Sequence, residues 1–347
     1  MSSWWPLIRL LPIKTNFEFV RFAGVAAFAS LALVIASFAS FATAGFTRSP
    51  AQTWASSGPS AGEKGQAFFC AAFNCGVDFQ GGTLLEVSTP GRAAPLSELR
   101  TQMAAIGLPD TQVQGFGSEN SALLRFESPE GQDPAKFVDT VKAELRARMP
   151  DVQIARAEVV GPKVSGELFA SGLTALGLAI LLMLIYIWFR FELNYGVGAV
   201  VALFHDVILT MGLLSVLRIE FSLTSIAALL TIIGYSMNDT VVVFDRMREN
   251  RRKFKRMSWR DLIDLSVNET LSRTIITGCT ALLALGGLLF LGGPTMFPFV
   301  FAMMFGIIIG TYSSIYVAAP AMLVSSSPVM PGPDATSDAQ PAASTGA

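Results

Sequence analysis

Histidine is almost missing from this chain. Among 347 residues there is one, His205, which excludes His-rich metal sites and any two- or three-histidine ligand set. Cysteine is nearly as scarce. Cys70, Cys75 and Cys279 are too few for a disulfide framework. Cys70 and Cys75 either pair, if their side of the membrane is oxidising, or stay free thiols. No CxxC, HExxH or zinc-type spacing occurs, and no glycine-rich phosphate loop, so ATP is not the direct energy source of this chain. No cofactor, metal or nucleic-acid partner is expected. Charge is sparse as well: 15% of residues are charged and 52% hydrophobic. With a mean hydropathy of +0.51, that excludes an ordinary soluble enzyme and describes a membrane protein with a soluble part. The net charge of -1 says little, because the charges are segregated.

What is present is a set of long apolar runs. After a short head, residues 1–21, carrying Arg9, Lys14 and Arg21, residues 22–44 are long enough to cross a bilayer. This run is too long for the core of a signal peptide and reads as an uncleaved first span. Five more spans follow, at about 168–189, 195–217, 221–244, 274–291 and 297–323. Eight Lys and Arg residues lie between Arg246 and Arg260, after the fourth span. Six crossings put the basic head and this basic loop on one side, read as cytoplasmic, with both termini. Within the loop, Ser258 to Asp261 resembles a capping box, and Trp259, Leu262, Ile263 and Ser266 share a helical face. An amphipathic helix on the inner membrane surface is therefore expected within 245–273. The basic cluster reads either as a topology determinant or as a contact for anionic lipid or a ribosome-side partner. Residues 324–347 are rich in Pro, Ala and Ser, and a disordered tail is expected.

Between the first two spans, 45–167 changes character. A Ser-, Ala- and Gly-rich connector to about Gln66 is followed by a soluble pattern. A strand at 83–88, a helix at 96–106 stopping at Gly107, strands at 111–115 and 122–127 about a turn at Gly117 and Asn120, a helix at 134–149 and a strand at 152–160 follow in order. The order β-α-β-β-α-β is that of a ferredoxin-like sandwich. The expected fold class is thus an α-helical membrane protein of six transmembrane helices, with one extracytoplasmic α+β domain between spans 1 and 2.

Polar residues inside the spans carry the functional signal. Asp239 sits in the fourth span among apolar neighbours, and a carboxylate in hydrocarbon marks either a functional site or a hydrogen-bonding tie between helices. Thr224, Thr231, Tyr235 and Asn238/Asp239 recur along one stripe of that helix. His205 and Asp206 lie in the middle of the third span. Arg273, Thr277 and Thr280 line the fifth, with Arg273 near the depth of Asp239. A carboxylate alone in an apolar medium holds its proton, and a neighbouring arginine favours the charged form. Relative motion of the two, with access alternating between membrane faces, would carry a proton across. One charge moved through the membrane potential yields about 2.3 kcal/mol per 100 mV. His205 and Asp206 either extend that relay or serve packing. Gly306, Gly310 and Ser314 form a small-residue stripe in the sixth span that lets backbones approach.

These motifs resemble a known family. GVDFQGGT at 76–83 is similar to the signature after the first span of the SecD/SecF proteins, of the resistance-nodulation-division superfamily. HDV at 205–207, GYSMNDTVVVFDRMREN at 234–250, SRTIITGCT at 272–280 and GTYSSIYVAAP at 310–320 match the SecF branch in order and setting. The likeness covers residues 16 to 323 or so. It implies a bacterial inner-membrane auxiliary of the Sec translocon that pairs with SecD, associates with the SecYEG channel and often with YajC, and uses the proton motive force to help draw unfolded preproteins across. It implies that Asp239 and Arg273 take part in proton passage. Membrane lipids are the remaining expected contacts. A half-transporter exporting small molecules or lipids, and an assembly factor that transports nothing, are the alternative functions. An intramembrane enzyme is disfavoured, because no nucleophile–base set is evident.

Overall fold

The computed structural model describes residues 15–45, 61–129 and 132–325. The expected head before residue 15, most of the connector and the tail after Ser325 lie outside the described residues. Six helices are long and apolar enough to cross a membrane: span 1 (Val20–Thr43), span 2 (Pro162–Arg190), span 3 (Leu193–Val216), span 4 (Leu223–Lys253), span 5 (Trp259–Leu291) and span 6 (Phe297–Leu323). Spans 3 and 4 are the most enclosed, and spans 1, 2 and 5 turn most of their surface outward.

Between spans 1 and 2 a helix at Ala61–Ala72 precedes the short strand β1 (Asn74–Cys75). Part of this helix falls where a connector was expected; its Phe69 stacks on Phe73 at 4.5 Å and packs edge-on against Phe169 and Phe221. Strands β2 (Gly82–Ser88), β3 (Gln112–Phe116), β4 (Ser118–Phe126) and β5 (Gln153–Val160) form one antiparallel sheet in the order β3-β4-β2-β5. Helices Leu96–Ala105 and Pro134–Arg148 complete the ferredoxin-like sandwich. Leu85, Val87, Leu124 and Phe126 from the sheet meet Leu99, Met103, Val141 and Leu145 from the helices, the period-2 and period-3.6 faces each burying their apolar side. The β3–β4 turn is tighter than the sequence suggests. It closes at Gly117 (φ +69°), and β4 starts at Ser118, because the carbonyls of Glu119 and Asn120 are taken by Ala94 and Thr89 at 2.8 Å each.

The domain is fixed to the spans by the segment that opens its sheet. β1 pairs in parallel with β6 (Glu220–Phe221), which joins spans 3 and 4. The Gly76 N–H donates to the Phe221 carbonyl at 2.8 Å, and Asp78 Oδ2 accepts the Leu223 N–H at 3.0 Å, satisfying an end group of span 4. Arg125 on β4 pairs with Glu220 at 3.3 Å. Gly76 has no room for a side chain, since a Cβ there would meet Glu220 Oε1 at 2.5 Å.

One element differs in kind from expectation. The helix beginning at Trp259 does not lie apart on the membrane surface; it runs unbroken into span 5 as one helix of 33 residues. No proline lies in it, and its buried face (Leu262, Ile263, Ser266, Val267) packs on the end of span 4, where Asn250 Nδ2 donates to Ser266 Oγ at 3.1 Å. The basic loop is likewise mostly helix. Arg246 donates to Glu269 and Glu249 at 2.6 Å each, and Lys253 to Glu249 at 2.6 Å.

Burial pushes the Glu220 carboxyl above its ordinary range, against the opposing pull of Arg125. A carboxyl so raised favours the folded state below its unfolded pKa and loses that contribution as pH rises through its folded value. Arg125→Met removes the counter-charge. Its destabilisation should be small near pH 4, where Glu220 holds its proton, and reach about 1–3 kcal/mol at neutral pH. Thermal unfolding of the purified protein across pH measures this. Adding Glu220→Met should recover much of the loss, and an acid-side maximum of the defect would contradict the account.

Candidate functional site

Span 4 starts at a capping box: Ser225 Oγ accepts from the Ser222 N–H at 3.3 Å, with the Ser222 side chain reciprocating. Its buried face carries Ser236, Met237, Asp239 and Thr240, and its opposite face exposes Thr224, Thr231, Gly234 and Asn238. The stripe read from the sequence therefore divides. Asp239 points into the bundle and Asn238 away from it.

Two acids lie inside the bundle, and their surroundings differ. Asp206, 1% exposed on span 3, has both oxygens engaged. Oδ1 lies 2.9 Å from His205 Nδ1, and Oδ2 accepts from Ser236 Oγ of span 4 at 2.5 Å and Ser313 Oγ of span 6 at 2.7 Å. Its main-chain carbonyl accepts from Thr210 Oγ1. With Nδ1 turned to the carboxylate, His205 Nε2 meets Ser30 Oγ of span 1 at 3.2 Å, and Ser30 in turn meets the Tyr312 hydroxyl at 2.9 Å. One turn further along span 4, Thr240 Oγ1 and Ser314 Oγ are 3.0 Å apart. The Asp206 carboxylate thus ties spans 3, 4 and 6 directly, and span 1 through His205.

Asp239, 2% exposed, has no such set. Among the described residues its buried Oδ2 has no hydrogen-bond partner, nor has Oγ1 of Thr274 on span 5. Arg273 is the charged group that acts on Asp239 electrostatically, and its own side chain lies on the exposed surface. Among the described residues no hydrogen bond or ion pair joins Asp239 to Arg273, or either to the Asp206 network. Thr280 and the free Cys279 are exposed near Arg273 on span 5, and Thr277 turns its hydroxyl to the Arg273 carbonyl at 3.0 Å.

Sequence reasoning singled out His205, Asp206, Asn238, Asp239 and Arg273 but not Ser30, Ser236, Tyr312 or Ser313. Serines in apolar helices are common. The one available signal was Ser313 and Ser314 beside the Gly306/Gly310 stripe.

The profile of the protein export membrane protein SecD/SecF, C-terminal, matches residues 140–327. The protein translocase subunit SecF of Rickettsia felis is 38% identical over 316 residues, covering 91% of this chain and 94% of that protein. The chain belongs to the SecF family. The SecF subunit of Rhodobacter capsulatus is 40% identical over 330 residues, with 91% of each chain covered. The crystal structure of SecDF from Thermus thermophilus, a translocon-associated membrane protein, superposes with a TM-score of 0.74 at 31% identity. SecDF in its super-membrane-facing form gives 0.55 at 30%. Each match covers 91% of the SecF-family chain and 39% of the SecDF chain, so the protein spans about two fifths of those longer relatives.

Asp206→Ala would leave Ser236, Ser313 and His205 without their shared acceptor. We expect it to lower stability by more than 2 kcal/mol, since each buried polar group left unpaired costs roughly 1–3 kcal/mol. Protein accumulation in the membrane and the thermal midpoint in detergent should both fall, whereas Asn238→Ala, on the exposed face, should change neither.

Proposed function

We propose that this chain, an auxiliary subunit of the Sec protein translocase, couples the proton motive force to preprotein export through Asp239. One observation carries the reading: among the described residues the buried Asp239 Oδ2 is unpartnered, while its chain neighbour Asn238 and Arg273 of span 5 face outward, where another subunit could meet them. An acid without fixed hydrogen bonds can take up and release a proton without dismantling the bundle. The Asp206 network is the contrasting case, and its full set of partners favours a packing role. SecD, the other half of the SecDF relatives, is the subunit expected to cover the exposed face of spans 4 and 5. SecYEG, YajC and unfolded preproteins complete the assembly in this reading, and no covalent catalysis is involved.

For orientation, the basic segment Arg246–Arg260 supports a cytoplasmic side at the ends of spans 4 and 6 and at the start of span 1. The α+β domain then lies outside. The Cys70–Cys75 disulfide, on that domain's flank, accords with an oxidising compartment.

Asp239→Asn keeps size and polarity but cannot titrate. Membrane vesicles holding this variant with SecD, at matched protein levels, should export a secretory precursor at the gradient-free rate even when a proton gradient is applied. Arg273→Met should behave likewise. Full gradient stimulation with Asp239→Asn would move the proton path to the partner or to the His205–Asp206 pair. A variant that fails to accumulate would make Asp239 a packing residue.

A further inference from the structure

A groove of about 710 Å³ runs along the outside of spans 1, 3 and 6, within the range of small-molecule sites. Gly24, Ala27, Val201, Phe204, Val317 and Ala321 supply most of its apolar wall. Spans 1, 3 and 5 begin on one side of the membrane, and span 6 ends there. Val20, Leu323 and Arg260 therefore mark one end of the groove, and Ser30, Val34 and Ile208 lie deeper. The wall is shaped by an irregularity in span 6: a π-helical turn at Ser314–Ala318, followed by Pro320, presents Tyr316 and Val317 to the groove. Such single turns within α-helices are frequent at functional sites. Arg260 is exposed and forms no ion pair among the described residues, while its neighbour Asp261 is held by Ser258 at 2.7 Å.

We infer that this groove holds an acyl chain of an anionic phospholipid, with the headgroup phosphate on Arg260. An apolar groove along membrane helices is bathed in lipid chains, and an unpaired guanidinium at its mouth selects the headgroup by charge. The residues before span 1 are the competing occupant. Residues 1–14 carry Arg9 and Lys14 with no acid, so Arg260 repels them and attracts a phosphate. A chain in the groove would also cover His205 and Ser30 and separate the Asp206 network from the bulk bilayer.

The test uses the full chain, purified in detergent and titrated with phosphatidylglycerol or phosphatidylcholine of equal chain length. Native mass spectrometry reads retained lipid, and the thermal midpoint reads stabilisation. Wild type should retain one phosphatidylglycerol at least tenfold more tightly than phosphatidylcholine. Arg260→Ala should bring the two within about twofold. Gly24→Phe, at a groove-lining position where a Cβ meets nothing within 4 Å, should abolish retention of both. Equal retention of the two lipids by wild type would overturn the inference. So would undiminished phosphatidylglycerol binding in Gly24→Phe, which would place the lipid on the basic segment after span 4. Retention that arises only after residues 2–14 are deleted would assign the groove to the head. Arg260→Ala, at an exposed position, decides the question should Gly24→Phe fail to fold.

Discussion

A carboxylate inside a bundle of apolar helices must find its hydrogen-bond donors in the protein, because the surroundings offer none. Asp206 meets that requirement, and much of the bundle follows from it. Its donors come from spans 3, 4 and 6, so Ser236 and Ser313 must lie within 2.7 Å of one carboxylate oxygen. That closeness requires span 6 to approach span 4 without side chains between them. The small residues provide it: a Cβ at Gly310 would meet Ser236 Cβ at 2.9 Å, and one at Gly306 would collide with Ile232. The glycine stripe and the buried acid are two sides of one packing solution. Span 1 joins by the same rule, with Ser30 on His205, and at Gly212, where a Cβ would strike Ser37.

The same network limits what can move. Ser236 and Thr240 hold span 4 to spans 3 and 6, one turn before and directly beside Asp239. A change in the surroundings of Asp239 must then come from its other side, toward Thr274 and Arg273 of span 5. Span 5 is suited to this. Its first half is anchored by Leu262, Ile263 and Val267, while beyond Gly278 it is exposed, with Leu283 at 76% and Leu291 at 90%. Arg273 sits between the packed and the exposed halves.

The sequence made the six spans and the ferredoxin-like domain legible because hydropathy and alternating patterns are local properties. Asp239 and Arg273 stood out because charges in apolar runs are rare. Partnership was not legible. Nothing in a run of residues says that Ser313 reaches Asp206, or that two residues at Asn74–Cys75 pair with Glu220–Phe221 across 146 positions of chain. The boundary of span 5 was misjudged for a different reason. Its first turns are polar on one face, a pattern shared by surface helices and by helices that pack on another helix outside the apolar layer, and only the buried contacts with span 4 separate the two.

The fastening at the far end of span 4 gives the bundle a mechanical consequence. Asp78 holds the first residue of the span, and Asp239 lies 16 residues later, about 24 Å along a helix with no proline or other break. A continuous helix transmits tilt over that distance with little bending. Glu220, one strand before the cap, is paired both to β1 and to Arg125 of the central sheet. Three separate contacts therefore oppose any sliding of the domain on the bundle. A displacement of span 4 that accompanied proton loading at Asp239 would reach the domain as motion of a rigid body, not as a loosening of its base. The glycines of the GVDFQGG segment suit this role, because they allow close backbone approach. Gly82 stands at φ +98° with the Phe126 carbonyl 2.9 Å from where a Cβ would be, so backbone packs there too closely for any side chain.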